Sequence, residues 1–160
     1  MRPLDRLEAA LERTLQVLVI GLMLALAAVV VIGVVFRKAG AALSWYDEIA
    51  ATLLAWLTYY GASLAALRGA HLGFPKIKDA FPRKLRVPLL VIREAVIVTF
   101  LLLVAWAGWK VLVVLEGHYL VTVPWLPARI TQSVIPIGAV LFILAELVHA
   151  ARSFKTDADS

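Results

Sequence analysis

Cysteine is absent from the 160-residue chain, which excludes disulfides, thiolate metal sites and a cysteine nucleophile and leaves the redox compartment unread. Charge is scarce too: Asp, Glu, Lys and Arg make up 17% of the residues against 62% hydrophobic ones, and the mean hydropathy is +0.90. Soluble domains run to about a quarter charged. A domain of this size still exposes about a third of the surface of its unfolded chain, so this much apolar sequence requires a second apolar solvent, and the bilayer is that solvent. Histidine is limited to three residues, and no GxxxxGK[ST], GxSxG or HExxH pattern occurs, so nucleotide-binding, serine-hydrolase and zincin chemistries lack their residues. The formal charge of +5 is spread between apolar runs and forms no basic face with interleaved aromatics, which argues against nucleic acid as a partner.

What the chain does have is long apolar runs. The first, Thr14 to Phe36, has Gln16 as its only strongly polar side chain; as a helix it reaches roughly 34 Å, enough to cross the hydrocarbon. Ala39, Gly40, Ala41 and Ala42 look superficially like a signal-peptide cleavage site, but the run is too long for such a segment and Arg37 with Lys38 stands before the small residues. Ile49 to Leu67, carrying Trp56, Tyr59 and Tyr60, forms the second run. The pattern predicts an all-α integral membrane bundle of four transmembrane helices in one domain, residues 1–160. Its spans cover about 14–36, 49–67, 95–115 and 133–151, with a middle loop over about 68–93, an opposite loop over about 116–132 and a polar tail at 152–160.

Basic residues set the expected orientation. Arg2, Arg6 and Arg13, then Arg68, Lys76, Lys78, Arg83, Lys84, Arg86 and Arg93, then Arg152 and Lys155 fall on one side of the spans; only Arg37, Lys38, Lys110 and Arg129 fall on the other. The positive-inside rule puts both termini and the middle loop in the cytoplasm. In that loop Phe74, Ile77 and Phe81 have the spacing of a short surface-lying helix, kept short by Pro75 and Pro82. A solvated basic loop drawn to anionic lipid is the alternative, and membrane lipids are a partner in both readings. The proline-rich opposite loop is expected in the outer interface with Tyr119 and Trp125 at headgroup level. Pro136 falls in the first turns of the last span, where its missing N–H costs little, and Gly138 leaves room for a close neighbour.

Gly21 with Ala25, Ala51 with Ala55, and Gly61 with Ala65 are spaced to let helices approach. Between the first two spans stand Arg37, Ser44, Trp45, Tyr46, Asp47 and Glu48. Ser44 is expected to N-cap the second helix, with both acids in its first turn at the positive end of the dipole. Alternatively, Asp47 or Glu48 pairs with Arg37 or meets another subunit, since charges at membrane depth are usually paired. Arg93, Glu94, Lys110, Glu116 and Glu146 all lie within about two turns of an expected helix end, where they can snorkel, and none is expected at mid-membrane. His71, His118 and His149 lie near different helix ends, so no cofactor or metal site is expected.

The ordered set Arg37, Trp45, Glu48, Trp56, Gly61, Ala62, Arg68 and His71 resembles the small (Q) membrane subunit of TRAP transporters, the tripartite ATP-independent periplasmic systems. Pro124-Trp125 followed by Pro136-Ile137-Gly138 is similar to that family's proline-containing entry into the last helix. Asp47, where a glutamate or another residue is common, and Gly73-Phe74 after His71 depart from its pattern. The resemblance implies a non-enzymatic, multi-pass protein of the bacterial inner membrane. It implies two protein partners: a large TRAP membrane subunit that carries the sodium and substrate sites, and a periplasmic substrate-binding protein that delivers an organic acid. The small subunit would brace the scaffold and help dock the binding protein. Arg37, Trp45, Asp47 and Glu48 would then serve the outer architecture, Arg68 and His71 the inner end of the second helix, and Trp56, Gly61 and Ala62 helix packing. Plain interfacial anchoring competes with each of these roles. A membrane anchor of a respiratory enzyme and a self-sufficient four-helix exporter are the alternatives; the first predicts haem absorbance and the second needs a membrane-embedded carboxylate, which the first span lacks.

Overall fold

The structure is a computed structural model that describes residues 3–69 and 83–158. Among these residues the fold is all-helical, and four of its helices are long and apolar enough to cross a membrane. The elements are α1 (Pro3–Lys38), α2 (Tyr46–Leu67), α3 (Arg83–Val114), the short α4 (Ala128–Gln132) and α5 (Val134–Ala158).

Helix α1 is built of Leu, Ala and Val and stops where Gly40 takes φ +80°. The Gly40 N–H donates to the Arg37 carbonyl and the Ala41 N–H to the Phe36 carbonyl, a Schellman closure whose left-handed residue glycine adopts without a Cβ penalty. Helix α2 opens without a side-chain cap. Its boundary residue is Trp45, already near helical geometry at φ −89° and ψ −15°, so the extended turn that a capping serine needs never forms. The expectation for Ser44 is corrected accordingly; Asp47 and Glu48 do stand in the first turn.

The helices outrun their apolar spans. Helix α3 begins at Arg83 rather than near 95, α1 starts well before 14, and α5 continues through 152–158, where a polar tail is expected. Hydropathy marks the stretch that lipid covers, whereas a helix persists through Arg, Lys, Glu and Ala because these residues favour it in water as well. Pro88 lies in the second turn of α3, where it forfeits the bond to the carbonyl four residues back and its ring crowds that carbonyl. The middle-loop helix proposed around Phe74, Ile77 and Phe81 lies outside the described residues.

Helix α2 packs against α1 on one side and α5 on the other, and α3 packs against α5. Among the described residues no comparable contact joins α1 to α3. The helices therefore form an open row, α1–α2–α5–α3, with no closed ring. Leu15 of α1, Tyr60, Leu64 and Leu67 of α2, and Val134, Phe142 and Ala145 of α5 make one buried cluster. Lipid tails are as apolar as these side chains, so close van der Waals fit, and not removal from water, must hold the row together.

Candidate functional site

Two ends of the row carry polar structure. At the end formed by residues 39–45 and 115–127, the Tyr46 ring lies against the bare backbone of Gly33; a Cβ there would stand 2.5 Å from Cδ2 of the ring. One turn along α1, Arg37 Nη2 donates to the Tyr46 hydroxyl at 2.7 Å, and its guanidinium carbon lies 5.5 Å from the ring centroid. Arg37 thus ties α1 to α2 through an aromatic residue, in place of the ion pair with Asp47 or Glu48 weighed from the sequence. Asp47 is exposed.

Glu48 faces the other way. Its Oε2 accepts the Thr122 backbone N–H at 2.9 Å and also the Thr122 hydroxyl, while its Oε1 takes the Val121 N–H at 3.3 Å. A carboxylate accepting several donors from one loop is a strong clamp. The loop is also self-closed: Leu120 N–H donates to the Leu126 carbonyl, Ala128 N–H to the His118 carbonyl, Tyr119 bridges Pro127, and Val123 is buried. Val121 (87% exposed) and Trp125 (77% exposed) project from this fixed base, which makes them available to headgroups or another protein.

Below the loop, Trp56 donates from Nε1 to the carbonyl of buried Thr131 at 2.9 Å and stands edge-on to Tyr60 at 6.2 Å. The indole joins α2 to α4, a directed bond beyond simple anchoring. Helices α2 and α5 approach closely at Gly138, where an added Cβ would be 2.7 Å from the Tyr59 Cβ. The Ser63 hydroxyl donates to the Tyr59 carbonyl at 2.9 Å and reaches the Gly138 carbonyl at 3.4 Å. Pro136 falls in the first turn of α5 and packs over Gly108 of α3, where a Cβ would be 2.9 Å from its Cδ. Among the described residues nothing lies within 4 Å of a Cβ built at Gly21 or Gly61, so those glycines, expected at packing faces, are not close-approach points there. Ala62 packs against the buried cluster.

At the opposite end, Arg68 closes α2 and its Nε bonds Glu12 Oε1 of α1 at 2.8 Å. His71 lies outside the described residues. His149 of α5 lies against Gly69, whose φ of +65° and missing side chain make that approach possible. Glu146 stands about one turn before the Ala150 end of the last span, near the span end as expected, but it does not snorkel: its side chain is only 2% exposed, with Oε2 3.9 Å from Arg93 Nη2 of α3. Glu116 and Lys110 do remain at the surface, beside Arg129 and the Trp106 ring respectively.

Gly33, Gly108, Thr122, Thr131 and Glu12 were not singled out by sequence. A glycine within an apolar run is the available signal for the first two, although the first run holds Gly21 as well as Gly33; for the others the partner is far along the chain and leaves no local pattern. The family model described as "Tripartite ATP-independent periplasmic transporters, DctQ component" matches residues 26–156. No match is found among curated proteins.

Proposed function

Because the chain belongs to the DctQ component family of the tripartite ATP-independent periplasmic transporters and is a small membrane subunit of such a system, we propose that it braces the large membrane subunit and helps dock the periplasmic binding protein during sodium-coupled uptake of an organic acid. In this reading the chain resides in the bacterial inner membrane with its termini in the cytoplasm, as the distribution of Lys and Arg favours. Sodium and substrate are then held by the large subunit. The observation that carries the bracing role is the open row. Helix α1 has the most apolar span, mean hydropathy 3.1, yet only 6% of that window is buried, against 33% for the last span. A one-sided helix of this kind gives a neighbouring membrane protein a long face for close packing. Secondary transporters form their substrate sites from helices broken near the midplane, whereas α2 and α3 run continuously through their spans. The docking role draws on the loop clamped by Glu48, a fixed ledge that presents Trp125 and Val121.

Photo-crosslinking in the native membrane tests the brace. A photoreactive residue at Val31 of α1 or Trp106 of α3, both well exposed, is expected to trap the large membrane subunit from at least one flank. Failure of both positions to do so, in a chain correctly inserted, overturns the reading. Uptake into vesicles is expected only with all three proteins present, and solute movement by this chain alone overturns it as well.

A further inference from the structure

The side of α3 turned away from α5 carries a cation without an anion. Gly108 packs on Ile135 and Pro136 of α5 and Leu112 is buried, whereas Trp106, Trp109 and Lys110, at i, i+3 and i+4, share the opposite side and are all exposed. Lys110 Nζ lies 5.8 Å from the centroid of the Trp106 ring. Helix side chains lean toward the N-terminus, and here that direction is inward. The span runs Val91–Val114, so Trp106 is one turn deeper than Lys110, which is itself about 6 Å short of the Val114 end. The ammonium is thus turned from the nearest water.

A cation on a lipid-facing surface inside the span is costly unless paired, and one cation–π contact at an exposed site does not offset that cost. No carboxylate among the described residues stands within ion-pair distance of Lys110; Glu116, the nearest acid along the chain, faces Arg129 at 3.6 Å. The indole N–H groups of Trp106 and Trp109 have no acceptor among the described residues either. The patch therefore offers donors from three side chains and no acceptor. Its complement is a compact, acceptor-rich anion, and at the edge of the hydrocarbon that anion is a lipid phosphate.

We infer that Trp106, Trp109 and Lys110 hold the headgroup of one anionic phospholipid. The ammonium pairs with the phosphodiester, the indole N–H groups donate to phosphate and ester oxygens, and the acyl chains follow the same exposed face of α3 past Leu103 and Val96. A zwitterionic headgroup brings its own cation, whereas an anionic one leaves its net charge for Lys110, so the site discriminates between them. It lies at the opposite end of the spans from the basic middle loop and is a defined position for one lipid, distinct from the diffuse attraction of that loop to an anionic surface.

Native mass spectrometry of the full 160-residue chain, delipidated in detergent and titrated with phosphatidylglycerol or phosphatidylcholine, tests this. The wild type is expected to retain one phosphatidylglycerol more strongly than phosphatidylcholine. Lys110→Gln should weaken that retention by about fivefold, the worth of one basic side chain at an anionic surface, while Lys110→Arg keeps it and Arg129→Gln leaves it unchanged. Equal retention of the two lipids by the wild type, or equal phosphatidylglycerol retention in the wild type and Lys110→Gln, overturns the proposal; the first comparison needs no variant to fold. In native membranes a photoreactive residue at Leu103, two turns deeper on the same face, is expected to trap lipid. Trapping of a protein there in place of lipid means that a partner covers this face, which overturns the proposal and leaves the brace standing on Val31 of α1.

Discussion

Glu48 Oε2, in the first turn of α2, accepts the Thr122 backbone N–H at 2.9 Å together with the Thr122 hydroxyl, joining residues 74 positions apart in the chain. The first helical turn and the far loop are thereby one mechanical unit. Glu48→Gln keeps the size but weakens the acceptor, so the Val121 and Thr122 amides are expected to exchange with D2O several-fold faster while amides in the middle of α2 are unchanged. Thr122→Val, which retains the backbone bond, should have the smaller effect. Equal exchange in wild type and Glu48→Gln contradicts the clamp.

Glycine positions separate into two classes that thermal unfolding in detergent can distinguish. Gly138→Ala places a carbon 2.7 Å from the Tyr59 Cβ, which is too near the backbone to swing away, and is expected to destabilise by about 1–3 kcal/mol. Gly61→Ala enters open space and should be neutral or stabilising by up to about 1 kcal/mol through helix propensity.

A double-mutant cycle tests the outer tie between α1 and α2. Arg37→Ala combined with Tyr46→Phe is expected to reveal a coupling of about 1 kcal/mol, the scale of the hydrogen bond alone, because Phe keeps the ring that the guanidinium lies over. Arg37→Ala combined with Asp47→Asn should couple by much less, since the guanidinium is engaged with Tyr46.

Removing the indole nitrogen at Trp56 leaves the Thr131 carbonyl without that donor. Trp56→Phe is therefore expected to cost about 0.5–1.5 kcal/mol and to loosen α4 in hydrogen exchange, whereas Trp125→Phe, at an exposed position, should leave stability unchanged.

The exposed Arg68–Glu12 pair is worth at most about 1 kcal/mol to the isolated chain. Arg68→Ala should thus barely lower the unfolding temperature of the purified subunit. If it still reduces co-purification of the large membrane subunit, Arg68 acts at that contact.

Much of this was legible from composition and spacing. The apolar runs placed the four spans because a bilayer demands about twenty apolar residues per crossing, a requirement that leaves a continuous local trace. Pro136 and Gly138 were marked by residue type alone. The pairings were not legible: Glu48 finds Thr122, Trp56 finds Thr131 and Arg68 finds Glu12 across more than fifty residues each, and nothing in a local window encodes a distant partner. The burial of Glu146 is not legible for the same reason, since the residue it meets, Arg93, stands on another helix far along the chain.

An arrangement one helix deep buries side chains between neighbouring helices but has no central axis. In a closed ring of four helices a wet passage can be sealed around such an axis. Here α1 and α3 stand at opposite ends of a line, so every helix borders either lipid or a neighbouring protein. A hydrophilic route through the membrane along this subunit would need its opposite wall from another polypeptide.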